Sequence, residues 1–112
     1  MNVTTLAGGE PQIIQVGESR IDAAVAIQFK DRVRELVSPE AERVVLDLAA
    51  VEFIDSSGLG AIVAAMKAMG EGQRLDLAGL TPIVDKVFRM TRMDTIFVIH
   101  ESLDAARAAK VG

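Results

Sequence analysis

The 112-residue sequence contains no cysteine, tryptophan or tyrosine, and only one histidine. The missing cysteines exclude a disulfide scaffold, thiolate metal sites and a cysteine nucleophile, and they fit a reducing compartment. Four phenylalanines are the only aromatic residues, so a nucleic-acid base or a sugar finds little to stack on. Positive charge is short as well. Twelve Lys and Arg face sixteen Asp and Glu, and the net charge of -4 repels nucleic acid and anionic lipid. Charged residues interrupt every hydrophobic stretch before it reaches membrane-spanning length. The opening Met1–Gln12 has neither the basic nor the apolar region of a signal peptide. The expectation is a cytoplasmic protein without membrane insertion or a nucleic-acid partner. A composition half hydrophobic and a quarter charged is that of a globular chain, and the length suits one domain over 1–112.

The pattern alternates strands and helices. Val3-Thr4-Thr5-Leu6 and Ile13-Ile14-Gln15-Val16 are β-favouring runs around Gly8-Gly9, which predicts an antiparallel hairpin. From Asp22 the period lengthens. Val25, Phe29, Val33 and Leu36 make an amphipathic helix that Ser38-Pro39 stops. Val44 to Leu48 is apolar on both parities, as a strand covered on both faces should be. Leu59, Ile62, Val63, Met66 and Met69 form a second helical stripe, ending at Gly70-Glu71-Gly72, where a left-handed glycine cap is expected. Leu75, Leu77 and Ala78 mark another strand. Thr81-Pro82 reads as an N-cap and first turn, with Leu80, Ile83, Val84, Val87 and Phe88 as the buried face. Ile96–Ile99 reads as a last strand, and Ser102 as the cap of a closing helix through Lys110. The order β-β-α-β-α-β-α-β-α predicts an α/β fold, with a mixed, mostly parallel sheet of about five strands and about four helices.

Enzyme templates fit poorly. Gly58-Leu59-Gly60 is followed by Val63, where a dinucleotide fingerprint wants Gly or Ala, and no phosphate loop or serine elbow exists. His100 is the one histidine available to a triad, and its position reads as a surface or strand-end residue. Scattered Asp and Glu read as solvated helix faces, so no metal, cofactor or catalytic residue is expected.

The segment Val51 to Ala61 concentrates small polar residues between a buried strand and an amphipathic helix. Asp55, Ser56 and Ser57 read as helix caps. Capping does not explain Gly58 and Gly60, because glycine in the first turns costs about 1 kcal/mol against Ala. Two of them suggest that a partner backbone needs the space.

These residues resemble a known family. Leu46-Asp47-Leu48, followed by Phe53-Ile54-Asp55-Ser56-Ser57-Gly58-Leu59-Gly60, is similar to the signature of STAS domains, specifically of bacterial anti-sigma factor antagonists. Arg20-Ile21-Asp22 matches an earlier position of that pattern. Leu77-Ala78-Gly79-Leu80 with Pro82 and Val87-Phe88 matches a later one, so the resemblance covers nearly the whole chain.

The resemblance implies a STAS fold and a binding switch rather than an enzyme. Such proteins, unphosphorylated, bind an anti-sigma factor that is a serine kinase of the histidine-kinase-like ATPase class, and so free a sigma factor. Phosphorylation ends the capture and a PP2C-type phosphatase resets it. Carried over residue by residue, the phosphorylated serine is Ser56. Asp22, Asp55, Ser57, Gly58, Leu59 and Gly60 fall at partner-binding positions, with Asp22 and Asp55 exposed beside Ser56. A monomer or weak dimer is expected. The alternative is a STAS subunit regulating a membrane lipid-transport ATPase complex, and the intact Asp-Ser-Ser-Gly string favours the switch.

Two departures from the pattern stand out. Gly17 lies five residues before Asp22, a stretched spacing. Thr91-Arg92-Met93-Asp94 also replaces a glycine after the third helix, where the residues either close the helix or present Arg92 and Met93 to a partner.

Overall fold

All five residues of the central strand β4 (Arg43–Asp47) are buried, so both faces of the sheet it belongs to must be covered. The structure is a computed structural model that describes residues 1–109. Ahead of β4 come β1 (Val3–Leu6), β2 (Gln12–Val16), β3 (Arg20–Ile21) and α1 (Ala26–Leu36). After it follow β5 (Phe53–Ile54), α2 (Ser56–Lys67), β6 (Arg74–Ala78), α3 (Pro82–Met90), a 3-10 turn at Met93–Thr95, β7 (Ile99–His100) and α4 (Leu103–Ala108). The main sheet has the order β1-β2-β4-β6-β7. The opening hairpin pairs antiparallel, Val3 with Val16, and every other pair is parallel. The mixed five-stranded sheet with four helices agrees with the pattern of the sequence.

Strand parity divides the core. Ile14, Val44, Leu46 and Leu77 point to one face and pack with Phe29 and Val33 of α1, Ile62 of α2, and Val84 and Phe88 of α3. Ile13, Val45 and Ala78 point to the other, under Ala106 of α4. That second face also holds a charged cluster. Asp76, fully buried, accepts hydrogen bonds from Arg74 Nε (2.9 Å) and Arg43 Nη1 (3.4 Å), and its Oδ2 lies 2.9 Å from His100 Nε2. His100 does end the last strand, but its side chain is only 10% exposed. Its placement is set by a carboxylate 24 residues earlier.

Several local expectations change. The first helix starts at Ala26, because Asp22–Val25 form a turn. The second ends in the right-handed Ala68, and the left-handed glycine is Gly72, out in the following turn. Thr81 occupies the N-cap position of α3, yet its hydroxyl donates to the Val51 carbonyl (2.8 Å) and ties the helix to the chain before β5. Ile83 faces outward, 66% exposed. Of the expected strand Ile96–Ile99, only Ile99 pairs. Phe97 instead turns inward, edge-on to Phe88 (6.3 Å between ring centroids), which leaves Ile96 and Val98 exposed. An apolar run of four does not distinguish a strand from a core-crossing turn. In α4, Ser102 Oγ accepts from the Ala105 N–H (3.0 Å), as expected of a cap; Lys110 lies outside the described residues.

Candidate functional site

The two shortest strands position the site. In β3 and β5, Arg20 pairs with Phe53 and Ile21 with Ile54, forming a small parallel sheet of their own. Ile21 and Ile54 are buried, which anchors the pair in the core. The Ser19 carbonyl accepts from the Glu52 N–H (2.8 Å), and the Arg20 guanidinium lies 4.2 Å above the Phe53 ring, an attractive cation–π arrangement. Parallel pairing sets the exits of the two strands side by side, so Asp22 and Asp55, 33 residues apart in sequence, become neighbours.

Asp55 is the N-cap of α2. Its Oδ1 accepts from the Gly58 N–H (2.9 Å), and its Oδ2 accepts from the Ala23 N–H (3.2 Å) in the turn that follows β3. One half-buried carboxylate therefore clamps the helix start to the Asp22 turn. The Gly58 N–H, helped by those of Ala23 and Ser57, holds the Asp55 carboxyl below the usual carboxylate range. Asp22 turns its Oδ1 to the Ala24 N–H (3.1 Å) and its Oδ2 to Arg20 Nε (3.3 Å), with 26% of its side chain exposed.

Ser56 and Ser57 open the first turn of α2, and both are exposed. Neither hydroxyl has a hydrogen-bond partner among the described residues. A helix N-terminus adds a partial positive charge and unsatisfied N–H groups at this point, which favours an anion. Gly58 is buried, and a Cβ there would run into the Ile21 carbonyl. The close approach that requires this glycine is thus internal to the fold. Gly60 differs: beyond its own stretch of helix, no heavy atom lies within 4 Å of a Cβ built on it. Leu59 packs half-buried against the main core.

Asp22, Asp55, Ser56 and Ser57 converge at one edge, where α2 begins. Gly58 and most of Leu59 point away from that surface, and Asp55, expected to be exposed, has both oxygens occupied. The stretched Gly17–Asp22 spacing accommodates β3, with the Gly17 N–H donating to the Asn2 carbonyl (2.7 Å). Arg92 takes the left-handed conformation (φ 63°) where the family pattern has glycine, and Met93 packs on the core, so this segment closes α3. Among the described residues no cluster of three or more His, Asp or Glu is placed to hold a metal, and no helix is long and apolar enough to cross a membrane. Neither β3 nor β5 is visible in the sequence pattern, because two residues are too few to show a period.

A family model of the STAS domain matches residues 10–106. BtrV of Bordetella bronchiseptica, which carries the name of an anti-sigma factor antagonist, is 33% identical over 90 residues, covering 80% of this chain and 78% of that protein. The crystal structure of an anti-sigma factor antagonist from Mycobacterium paratuberculosis superposes with a TM-score of 0.78 at 25% identity, covering 94% of this chain and 91% of that one. SpoIIAA, an anti-sigma factor antagonist, shares the fold in its unphosphorylated form (TM-score 0.71, 17% identity, 93% and 91% coverage). The phosphorylated Bacillus SpoIIAA shares it too (TM-score 0.64, 16% identity, 93% and 95% coverage).

Proposed function

Because the chain belongs to the STAS domain family, we propose that it is an anti-sigma factor antagonist, a regulatory binding protein switched by phosphorylation of Ser56. Residues 1–112 act as one domain in this reading. The unphosphorylated form captures an anti-sigma factor that is also a serine kinase of the histidine-kinase-like ATPase class, and a PP2C-type phosphatase restores it, in the cytoplasm. The relatives' names do not favour the alternative of a lipid-transport subunit.

The observation that carries the reading is the setting of Ser56: an exposed hydroxyl without a hydrogen-bond partner among the described residues, at the first position of a helix, beside two carboxylates. In the modification its Oγ attacks the terminal phosphorus of the kinase's ATP, the hydroxyl proton leaves and ADP departs. The product carries about -1.5 to -2 charge at neutral pH. The N-terminus of α2 tolerates that charge, so the fold survives. A partner packed over the same spot faces a desolvated dianion next to Asp55 and Asp22. Like charge at an interface costs several kcal/mol, and each 1.4 kcal/mol is tenfold in affinity, so capture weakens by about 100-fold or more.

The test is incubation of the protein with the organism's anti-sigma factor kinase and ATP, followed by mass-spectrometric mapping. Phosphate on Ser56, abolished in Ser56→Ala and retained in Ser57→Ala, supports the assignment. Phosphate that follows Ser57 instead overturns it.

A further inference from the structure

We infer that the groove between α1 and α2 receives an apolar side chain of the kinase partner, with Ile27 and Gly60 on its two walls. The inference rests on the antagonist reading above and names the surface through which that partner is selected. The groove, about 350 Å³, opens at Ser57, one residue from the switch serine. Ala23, Ile27 and Lys30 line one side, and Gly60 and Ala64 the other.

Two of these residues are poorly suited to the isolated fold. Ile27 is 72% exposed, although it is large and apolar. Gly60 lies inside α2, where glycine is the poorest helix former after proline, and a Cβ added there would meet nothing outside its own helix. Gly58, two residues earlier, has an internal reason in the Ile21 carbonyl; Gly60 has none. Any larger residue at 60 would fill the groove beside Ile27. A partner's side chain in that space would cover Ile27 and would use the room that Gly60 leaves.

Geometry and charge identify the occupant. To phosphorylate Ser56 the kinase must bring the terminal phosphate of ATP within about 3–3.5 Å of its Oγ. A stable interface covers about 800 Å² on each partner, so one centred on Ser56 must spread well beyond it. Interfaces place apolar contacts at the centre and polar groups at the rim, and the apolar surface adjoining Ser57 on this side is the groove. Ala23 lies against Asp55 at the start of α2, so the groove has Asp22 and Asp55 at one end and Lys30 further along. The occupant therefore carries an apolar residue between Ile27 and Gly60 and a basic one toward Asp55 at the groove's acidic end, since Asp22 already pairs with Arg20.

The experiment is calorimetric titration of the full chain with the anti-sigma factor kinase, alongside thermal melts. The variants are Ile27→Asp, Gly60→Gln, Ser56→Asp and, at a distant exposed apolar position on α3, Met90→Asp. Ile27→Asp and Gly60→Gln should each weaken binding tenfold or more with melting temperatures no lower than a few degrees below wild type, while Met90→Asp binds normally. If both groove variants bind like wild type while Ser56→Asp does not, the groove is refuted and the switch reading stands. A kinase that neither binds nor phosphorylates the wild-type chain overturns both.

Discussion

Asp55 and Asp76 are carboxylates in opposite settings, and the contrast separates a charge spent inside the scaffold from one left facing the proposed switch site. Asp76 is fully buried on the α4 face, held by the side chains of Arg43, Arg74 and His100. Its charge is neutralised in place, and Arg43 Nη2 goes on to the Ala109 carbonyl (3.3 Å), joining the network to the end of α4. Asp55 is half-buried and accepts only backbone N–H groups. Those bonds shape the helix start and leave a negative charge that no cation among the described residues pairs with, next to Ser56. A buried carboxylate surrounded by cations is part of the scaffold. One held by amides at a helix N-terminus keeps its field pointed at whatever approaches.

The largest expected effect is on the scaffold side. Asp76→Ala leaves Arg43 buried without its partner and should destabilise the domain by about 3–5 kcal/mol in denaturant melts. The molecules that remain folded should still accept phosphate on Ser56. Loss of phosphorylation beyond the unfolded fraction would break the division between the two carboxylates.

Gly58→Ala comes next, because the added Cβ meets the Ile21 carbonyl and either β3 or α2 must shift. About 1–3 kcal/mol of destabilisation is expected from such overpacking. An unchanged melting temperature would show that the β3–β5 platform does not fix the helix start.

Asp55→Ala removes the cap and the clamp on Ala23, and should lower the melting temperature by a few degrees at neutral pH. The sign with pH follows from the depressed carboxyl of Asp55. Its contribution is complete above the unfolded value of 3.8 and is lost as pH falls through the lower folded-state value. Melts taken from about pH 5 down to about pH 2 should therefore show the wild type and the variant converging. A constant gap would mean that the carboxylate's charge is not what the amides hold.

The smallest stability effect belongs to Ser56→Asp, at about 1 kcal/mol or less, since the position is exposed and the helix dipole favours the added charge.

The main architecture was legible because it rests on local periodicity: the two-sided burial of Val44–Leu48, the stripe of Phe29 and Val33, and the Asp-Ser-Ser string ahead of an amphipathic run. What escaped depends on partners far along the chain. The pairing of Arg20–Ile21 with Phe53–Ile54 joins two dipeptides 33 residues apart, and neither has a pattern of its own. His100 looked like a strand-end surface residue until Asp76 was placed beside it. Thr81 carried a good capping signal, but the Val51 carbonyl, 30 residues earlier, took the hydroxyl. At the site, the sequence marked the start of α2 but read Asp55, Ser56 and Ser57 alike as caps. Only Asp55 caps, because its carboxylate reaches the Gly58 N–H, and the two serines form the first turn. The engagement of both Asp55 oxygens was not legible, because one donor, the Ala23 N–H, is delivered by β3. Gly60's open setting was likewise invisible beside Gly58, since only the fold distinguishes a glycine that something presses against from one that nothing touches.

The central claim is that charge at Ser56 repels the partner without disturbing the domain. Its most direct measurement is titration of the anti-sigma factor kinase with unphosphorylated and fully Ser56-phosphorylated protein, with a thermal melt of each form. The account predicts a loss of affinity of about 100-fold or more with melting temperatures within a few degrees of one another. Equal affinity of the two forms would contradict it, and so would a loss of binding that tracks a loss of folded protein.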